Sequence, residues 1–427
     1  MHLTPEQEAI GRRNFLKALA GTPALAALGA AAAVKGPVRG GPVRVGFVGV
    51  GAQGRVLLTN SDPAFADVRA LCDINPASLA KADEIIARRN APPARHYVEW
   101  REMLEKEDLE AVIMAPPLWM HADIAGGCLD AGKHVLCEKM MAWDVAGCER
   151  MKTAAEKNGR VLEIGYQRNY NPMYQAAYQG VIRPEQLGDI YHVRLAWHRN
   201  ANWRRQGAKP TPDYDASRWG YPTFDHLWNW RLYWRYSKGL LAELASHQVN
   251  VANWFFGAVP SAVSAVGGLY RFKDGAREVY DHVYATFEYP GGRTATFSSI
   301  ESNAFDDYYE AFFGTKGTLI LRHERDALLF EEGSEAARAT TVELSPKNAG
   351  PALDASESRP ANAPSTTASR NVGGADRPSA TRFEIAGFCE AIRVGKPLAC
   401  GPERAMHSAR ACIMANDSIA KKGPLTT

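Results

Sequence analysis

The stretch from Arg44 to Asp73 constrains the fold more than any other part of the chain. It opens as VRVGFVGVGAQGRVLL and closes on RALCDIN. A short apolar strand (Val45, Phe47, Val48) runs into Gly49-Val50-Gly51-Ala52-Gln53-Gly54, a helical pattern follows, and a second apolar strand ends on Asp73. Each glycine has a separate use. Gly49 permits a tight turn, Gly51 lets the backbone approach a pyrophosphate, and Gly54 lets the helix lie close to the strand. The helix N-terminus presents free N–H groups and the positive end of its dipole to phosphates. Asp73, 19 residues past Gly54, can accept hydrogen bonds from the adenosine ribose hydroxyls, and its charge repels a 2′-phosphate. The expected cofactor is therefore NAD rather than NADP, held by Gly49, Gly51, Ala52, Gln53, Gly54 and Asp73.

Strand and helix patterns keep alternating beyond Asp73. Residues 80–89 read as helix, 109–115 (LEAVIMA) as strand ended by Pro116-Pro117, and 121–131 as helix. Residues 133–137 (KHVLC) read as strand closed by Glu138-Lys139, 142–158 as helix and 161–165 as strand. Such alternation implies a doubly wound parallel sheet, a Rossmann domain over residues 43–165, with right-handed crossovers.

Past residue 165 the pattern changes. Strands are expected from Ile190 (IYHVRLAWH) and at 262–270, 282–289, 294–299, 308–314 and 318–322, separated by Gly and Pro turns, with a helix over about 239–256. Residues 166–427 thus read as an α+β domain with an open, mostly antiparallel sheet and helices on one face. Residues 333–380, rich in Ser, Thr, Ala, Pro and Asn, read as a partly disordered surface excursion. A helical pair at 382–394 and 403–421 closes the chain. An apolar sheet face of this size is rarely left bare on a monomer, so a homo-oligomer, dimer or tetramer, is expected.

The first 34 residues have a different character. Gly11-Arg12-Arg13-Asn14-Phe15-Leu16-Lys17 precedes an Ala-, Gly- and Leu-rich run to Val34, with small residues at Ala31-Ala32-Ala33. A charged region, a modest apolar region and a small-residue site make a signal peptide. The paired arginines before Phe-Leu-Lys are similar to a twin-arginine export signal, with Gly11 where Ser or Thr is usual. The expectation is a periplasmic or otherwise exported protein with no stable membrane insertion after cleavage. The alternative is an N-terminal amphipathic or membrane-anchoring helix, which Pro23 and the glycines disfavour. No later apolar run is long enough to span a bilayer. A net charge of +3 gives no ground for nucleic-acid binding, and no metal site is expected. Seven cysteines without a C-x-x-C pair neither require nor exclude disulfides.

Three further motifs carry a resemblance. They are Glu138-Lys139-Met140, Glu243-Leu244-Ala245-Ser246-His247 and Gly314-Thr315-Lys316-Gly317-Thr318. With the nucleotide loop and the terminal helical pair, the chain resembles the glucose–fructose oxidoreductase / inositol dehydrogenase / rhizopine catabolism (Gfo/Idh/MocA) family over about residues 43–427 without 333–380. The first matches the family's Glu-Lys-Pro with Met140 for proline. The second matches Asp-x-Gly-x-His with Glu243 for aspartate.

The resemblance implies roles. Lys139, at the carboxyl end of a parallel strand where ligands bind, would orient the nicotinamide ribose and polarise the substrate hydroxyl. His247 would be the acid or base for that hydroxyl proton. Glu243, sharing its helix face at i and i+4, would orient one of them. An acid beside an imidazole suits proton transfer near neutral pH, though the spacing alone also fits a satisfied core histidine. Pro116, His121 and Glu138 would border the cofactor, with His121 either active or merely lining the cleft. Tyr166, Arg168 and Tyr170, before Asn171-Pro172, resemble the family's aromatic-arginine turn, a substrate contact or a packing feature.

Between residues 197 and 235 the chain adds six tryptophans (Trp197, Trp203, Trp219, Trp228, Trp230, Trp234) interleaved with Arg199, Arg204, Arg205, Arg218, Arg231 and Arg235. Sugar C–H faces stack on aromatic rings, and arginine forks bind hydroxyls or carboxylates. The segment reads as a saccharide-binding wall including Trp230 and Arg231, or as a satellite core held by cation–π contacts. The expected reaction is hydride exchange between a secondary carbinol of a saccharide and NAD, with the cofactor tightly held and recycled. Transient ring oxidation with elimination, a glycoside cleavage with no net redox change, is the alternative. A non-catalytic sugar or nucleotide sensor is a third reading.

Overall fold

The structure is a computed structural model, and residues 3–23, 39–89, 91–206, 214–273, 275–333 and 379–426 are described. Strands β1 (Val43–Val48), β2 (Ala66–Cys72), β3 (Arg95–Tyr97), β4 (Ala111–Met114), β5 (His134–Glu138) and β6 (Leu162–Gly165) form one sheet. Its order is β3-β2-β1-β4-β5-β6, and every pairing is parallel. Helices cover both faces, so all four residues of β4 are buried, which is why these strands read as continuous apolar runs. The winding reverses between β1 and β4. The loops leaving their carboxyl ends diverge there and open a crevice.

The second sheet holds β7 (Ile190–Asn200), β8 (Ala262–Gly268), β9 (His282–Tyr289), β10 (Arg293–Ile300), β11 (Ser302–Gly314), β12 (Gly317–Arg322), β13 (Asp326–Glu331) and β14 (Leu425–Thr426). The order is β13-β12-β11-β7-β10-β9-β8-β14. Only β7 and β10 run parallel. The α/β architecture is thus a Rossmann sheet followed by a mostly antiparallel open sheet.

The helix Ser246–Phe256 lies against the inner face of this sheet with all eleven residues buried. Two of its polar side chains tie it to its neighbours. Gln248 Nε2 donates to the carbonyls of Ala196 and Tyr309 at 3.0 and 2.9 Å, tying the helix to β7 and β11. Asn250 Nδ2 donates to Ser408 Oγ at 3.0 Å, on the helix Pro402–Lys421. These bonds fix the rotation of the helix and so the direction of its N-terminal turn, which carries His247.

The structure departs from the sequence reading in several places. The short β3, the edge strand β13 and the two-residue β14 were not expected. The helix over 239–256 begins with a π-helical turn, Leu241–Ala245. The outer sheet face is not bare throughout. The helix Pro5–Leu19, capped by a Thr4–Gln7 capping box, packs on β13. Gly11 is needed there, because a Cβ would meet Phe330 and Leu328 at 2.8 and 2.9 Å. Phe15 and Leu19 are buried, and Arg12 pairs with Asp326 at 2.7 Å. The arginine pair of the expected export signal is therefore part of a packed helix. Residues 24–38, with the expected small-residue site, and nearly all of the 333–380 excursion lie outside the described residues. No helix among the described residues is long and apolar enough to cross a membrane. All seven cysteines are buried and free.

Candidate active site

A cleft of about 750 Å³ opens at the carboxyl ends of β1 and β4 and continues under the aromatic segment of the second domain. Its phosphate end follows from the glycines. Gly49 sits at φ +80°, with a Cβ position 2.8 Å from the Ala115 carbonyl carbon, so no other residue is accommodated. A Cβ on Gly54 would lie 1.9 Å from the Gly49 carbonyl oxygen, so Gly54 sits beneath the loop rather than in the cleft wall. At Gly51 nothing lies within 4 Å of a Cβ position. That open space belongs to the cleft. The helix Ala52–Asn60 starts on Gly51 without a side-chain cap, so the N–H groups of its first turn are free for an anion.

Asp73 stands at the same end. The Val50 N–H donates to Oδ2 and the Asn75 N–H to Oδ1, both at 2.8 Å. Burial pushes this carboxyl up to about 6, against those bonds and the nearby Arg55. Each oxygen keeps a lone pair for a ribose hydroxyl. The empty cradle over Gly51, the uncapped helix and the pinned acid together suit a dinucleotide. Gly49, Gly51, Ala52, Gln53 and Asp73 would hold it.

The chemical end is built from β5 and the second domain. Glu138 is buried and accepts from Gln53 Nε2 at 2.6 Å and from the Lys139 N–H at 3.1 Å. The peptide bond between Lys139 and Met140 is cis. Lys139 Nζ donates to the Glu243 carbonyl at 2.6 Å, crossing from the first domain to the second. Burial pulls this amine below the usual lysine range, although Glu243 and Glu138 oppose the shift. Burial works to raise Glu243, but Arg231, whose Nε donates to Oε2 at 3.0 Å, and Lys139 outweigh it and hold the carboxyl ionised.

His247 lines the cleft between Trp197, ring centroid 5.8 Å away, and the edge-on ring of Tyr166 at 6.0 Å. Burial first, then Lys139 and Arg168, drives its pKa well below the histidine norm. The ring is neutral at physiological pH, and Nδ1 is buried without a hydrogen-bond partner. His121 differs. Its Nδ1 and Nε2 lie 2.8 and 3.1 Å from the Met140 and Pro116 carbonyls, clipping the loops after β4 and β5 together. Burial pulls this ring below the usual histidine range, and a neutral imidazole has one N–H, so it donates to one of these carbonyls while its other nitrogen faces the second, at the border of the cleft.

Of the sequence candidates, the structure brings Gly49, Gly51, Ala52, Gln53, Asp73, Pro116, His121, Glu138, Lys139, Trp230, Arg231, Glu243 and His247 to one cleft. Tyr166, Arg168 and Tyr170 are not in its wall. Tyr166 is buried behind His247. Arg168 is fully buried, paired with Glu310 and with Glu324 at 2.9 Å, and its guanidinium lies 5.2 Å from the Trp197 ring. It supports Trp197 and His247 from behind. Tyr170 packs on Gly387 and accepts the Ala399 N–H at 3.2 Å, away from the cleft.

The aromatic segment divides in the same way. Trp197, Trp203, Trp219, Trp228 and Trp230 line the cleft, with Arg199 and Arg205. Trp234 packs edge-on against Tyr280 instead. Trp119 was missed by sequence reasoning. Its Nε1 donates to Tyr221 Oη at 3.0 Å and joins the loop after β4 to the aromatic segment. A tryptophan two residues after Pro116-Pro117 was the available signal.

Comparison with known proteins agrees with this layout. Residues 43–166 match the model described as "Oxidoreductase family, NAD-binding Rossmann fold", and residues 176–320 match "GFO/IDH/MocA C-terminal domain". The chain is 29% identical over 187 residues to an inositol 2-dehydrogenase of Salmonella paratyphi B, covering 43% of this chain and 52% of that protein. It is 28% identical over 202 residues to a glycosyl hydrolase family 109 protein of Shewanella sp. (strain ANA-3), covering 45% and 39%. The chain thus spans about half the length, or less, of these curated relatives. Among solved structures, a levoglucosan dehydrogenase with NADH and levoglucosan superposes with TM-score 0.67 at 20% identity, covering 90% and 99% of the two chains. An aldose-aldose oxidoreductase from Caulobacter crescentus does so with TM-score 0.65 at 19% identity, covering 90% and 100%. At such identities these two likenesses speak for the fold alone.

Proposed function

The chain belongs to the GFO/IDH/MocA oxidoreductase family, and on that premise we propose that it oxidises or reduces a secondary hydroxyl of a sugar or sugar derivative with NAD. The observation that carries the reading is the convergence of Lys139 and a neutral, unpartnered His247 on the cleft that begins at the glycine loop. When bound, NAD supplies the hydride acceptor, C4 of its nicotinamide. His247, held neutral by burial, takes the hydroxyl proton as the carbinol is oxidised. Lys139, fixed by the Glu243 carbonyl, donates to the same oxygen and offsets its developing negative charge. Glu243 opposes the loss of that amine's proton and, through Arg231, anchors the aromatic wall. The wall stacks on the sugar and excludes water. The inositol 2-dehydrogenase relative above supports the reading. It is tested by mass spectrometry of cofactor released from the purified protein and by absorbance at 340 nm on adding sugars and polyols. NAD release without any sugar-dependent absorbance change would defeat it.

The family 109 glycosyl hydrolase relatives favour a second reading on the same residues. A ring carbinol is oxidised, the ketone acidifies the adjacent C–H, and a base removes that proton as the anomeric group leaves. Water then adds and the hydride returns. Deuterium from solvent would enter the carbon next to the oxidised centre of the product, whereas plain hydride exchange leaves that carbon unlabelled.

Two further proposals concern context. Arg12-Arg13 and the apolar run after them support export by the twin-arginine route, which carries folded protein and would allow NAD to be loaded beforehand, held tightly and recycled by a second substrate. Replacing both arginines by lysine should leave the protein in the cytoplasm, and normal export of that variant would refute the route. A homo-oligomer would form through the outer face of β8–β10, where the paired Val266 and Tyr284 are exposed.

A further inference from the structure

Three arginines line the chemical end of the cleft, and their partners differ. Arg231 is answered by Glu243. Arg199 Nη2 lies 3.5 Å from Glu301 Oε1, an ion pair without a hydrogen bond, and the other oxygen of that buried carboxylate is taken by the buried Arg277. Nε and Nη2 of Arg199 have no hydrogen-bond partner, and its guanidinium lies 4.8 Å from the Trp203 ring. Arg205 has no carboxylate partner among the described residues. Its side chain reaches only the Trp228 carbonyl, at 3.5 Å, and stands 5.7 Å from the Trp228 ring. With Arg231 held by Glu243 and Glu301 shared between Arg199 and Arg277, the carboxylates at this end of the cleft do not match its guanidiniums one for one.

A partly buried guanidinium is costly when its counter-ion is shared, as for Arg199, and more so when it has none among the described residues, as for Arg205. Burial holds both Arg199 and Arg205 down at about 10, with Arg231 adding to the shift in each. A guanidinium has five donors and no acceptor, and its planar fork matches a carboxylate or phosphate. The hydroxyls of a neutral sugar bond to it but leave its charge unanswered. We propose that the substrate is a sugar bearing an oxyanion, a carboxylate or a phosphate, bound by Arg199 and Arg205 while the surrounding tryptophans stack on its ring. This rests on the oxidoreductase reading and adds its substrate class. Arg205 also feels Arg55, near the phosphate loop, so a role toward the cofactor diphosphate is the rival assignment.

The test uses the full chain and two matched sets: D-glucose, D-glucuronate and glucose 6-phosphate; D-galactose, D-galacturonate and galactose 6-phosphate. Dissociation constants come from quenching of the cleft tryptophans in the presence of NADH, and kcat/KM from absorbance at 340 nm. In at least one set an anionic member should bind about tenfold or more tighter than the neutral one, equivalent to about 1.4 kcal/mol, and salt should shrink the difference. The uronate and phosphate arms show which oxyanion is used. Arg199→Gln and Arg205→Gln should each erase about tenfold of the preference, with NAD affinity retained. The proposal is overturned if no anionic member outbinds its neutral partner, if neither substitution alters the preference, or if Arg205→Gln weakens NAD instead. Turnover of neutral sugars without anion preference would sink this proposal and leave the oxidoreductase reading standing. Anion-selective binding without any NADH formation would do the reverse.

Discussion

Gly51 and Gly54 are three residues apart, at the cap and in the first turn of one helix, and the structure assigns their substitutions opposite signatures. In Gly54→Ala the added Cβ would stand 1.9 Å from the Gly49 carbonyl oxygen and 2.9 Å from its carbon. Both are backbone atoms, so no rotamer change relieves the overlap. Gly49 cannot retreat, because its own Cβ position already lies 2.8 Å from Ala115 and Pro116 backbone atoms. Helix and strand must separate, an overpacking that costs about 1–3 kcal/mol. At about 2–4 °C per kcal/mol for a domain of 150–250 residues, Tm should fall by roughly 2–12 °C, and NAD binding should fall with it. Gly51→Ala meets no protein atom within 4 Å and sits at φ −62°, so stability should change by no more than about 0.5 kcal/mol. Its methyl would instead occupy the space argued to hold the diphosphate, and the Kd for NAD should rise about tenfold or more. Thermal shift and calorimetric titration on both variants measure each quantity. A Gly51→Ala protein that binds NAD as tightly as the parent would refute the placement of the phosphates over this loop.

Three other outcomes are expected. Asp73→Ala should erode discrimination against NADP, and in the parent that discrimination should weaken below pH 6 as the carboxyl is protonated; tighter binding of NADP than NAD by the parent at pH 7.5 would contradict this. Glu163, on β6, is raised by burial to about 8, so its neutral form stabilises the fold below the ordinary carboxyl range and that stability is lost as pH rises through 8; Glu163→Gln, always neutral, should gain stability relative to the parent between pH 6 and 9, and a pH-independent difference in denaturant midpoint would count against it. Light scattering at micromolar concentration should give a multiple of the chain mass, with a strictly monomeric mass removing the β8–β10 interface.

The nucleotide loop was legible in the sequence because its backbone demands are local. Gly49 and Gly54 answer to atoms within the same strand–helix unit or the adjacent strand, and alternating periodicities announce that unit. Lys139, Glu243 and His247 were legible only as motifs. Nothing near Lys139 shows that its amine will meet the Glu243 carbonyl, 104 residues away. Arg168 shows where local reading runs out. The sequence places it beside two tyrosines at the entrance to the second domain, but its partners Glu310 and Glu324 lie 142 and 156 residues on, and they draw it inward. Arg204 and Arg205 make the same point at adjacent positions. Arg204 turns to Asp225 at 3.1 Å, while Arg205 lines the cleft, and no feature of the Trp–Arg pattern separates them. The edge strand β13 was missed, and an N-terminal amphipathic helix was weighed only as an alternative, because the contact between Pro5–Leu19 and β13 joins residues 314 positions apart.

The central claim is that neutral His247 and Lys139 act on a sugar hydroxyl beside bound NAD. It is tested most directly by single-turnover absorbance at 340 nm, comparing the NAD-loaded parent with His247→Ala on the best substrate of the sugar panel. Loss of a positioned acid–base group costs about 10²–10⁴-fold in rate. The prediction is a sugar-dependent rise for the parent and a rise slower by that factor for His247→Ala, with NAD still bound and the fold intact. An equal rate in the two proteins would contradict the account and remove His247 from the chemistry.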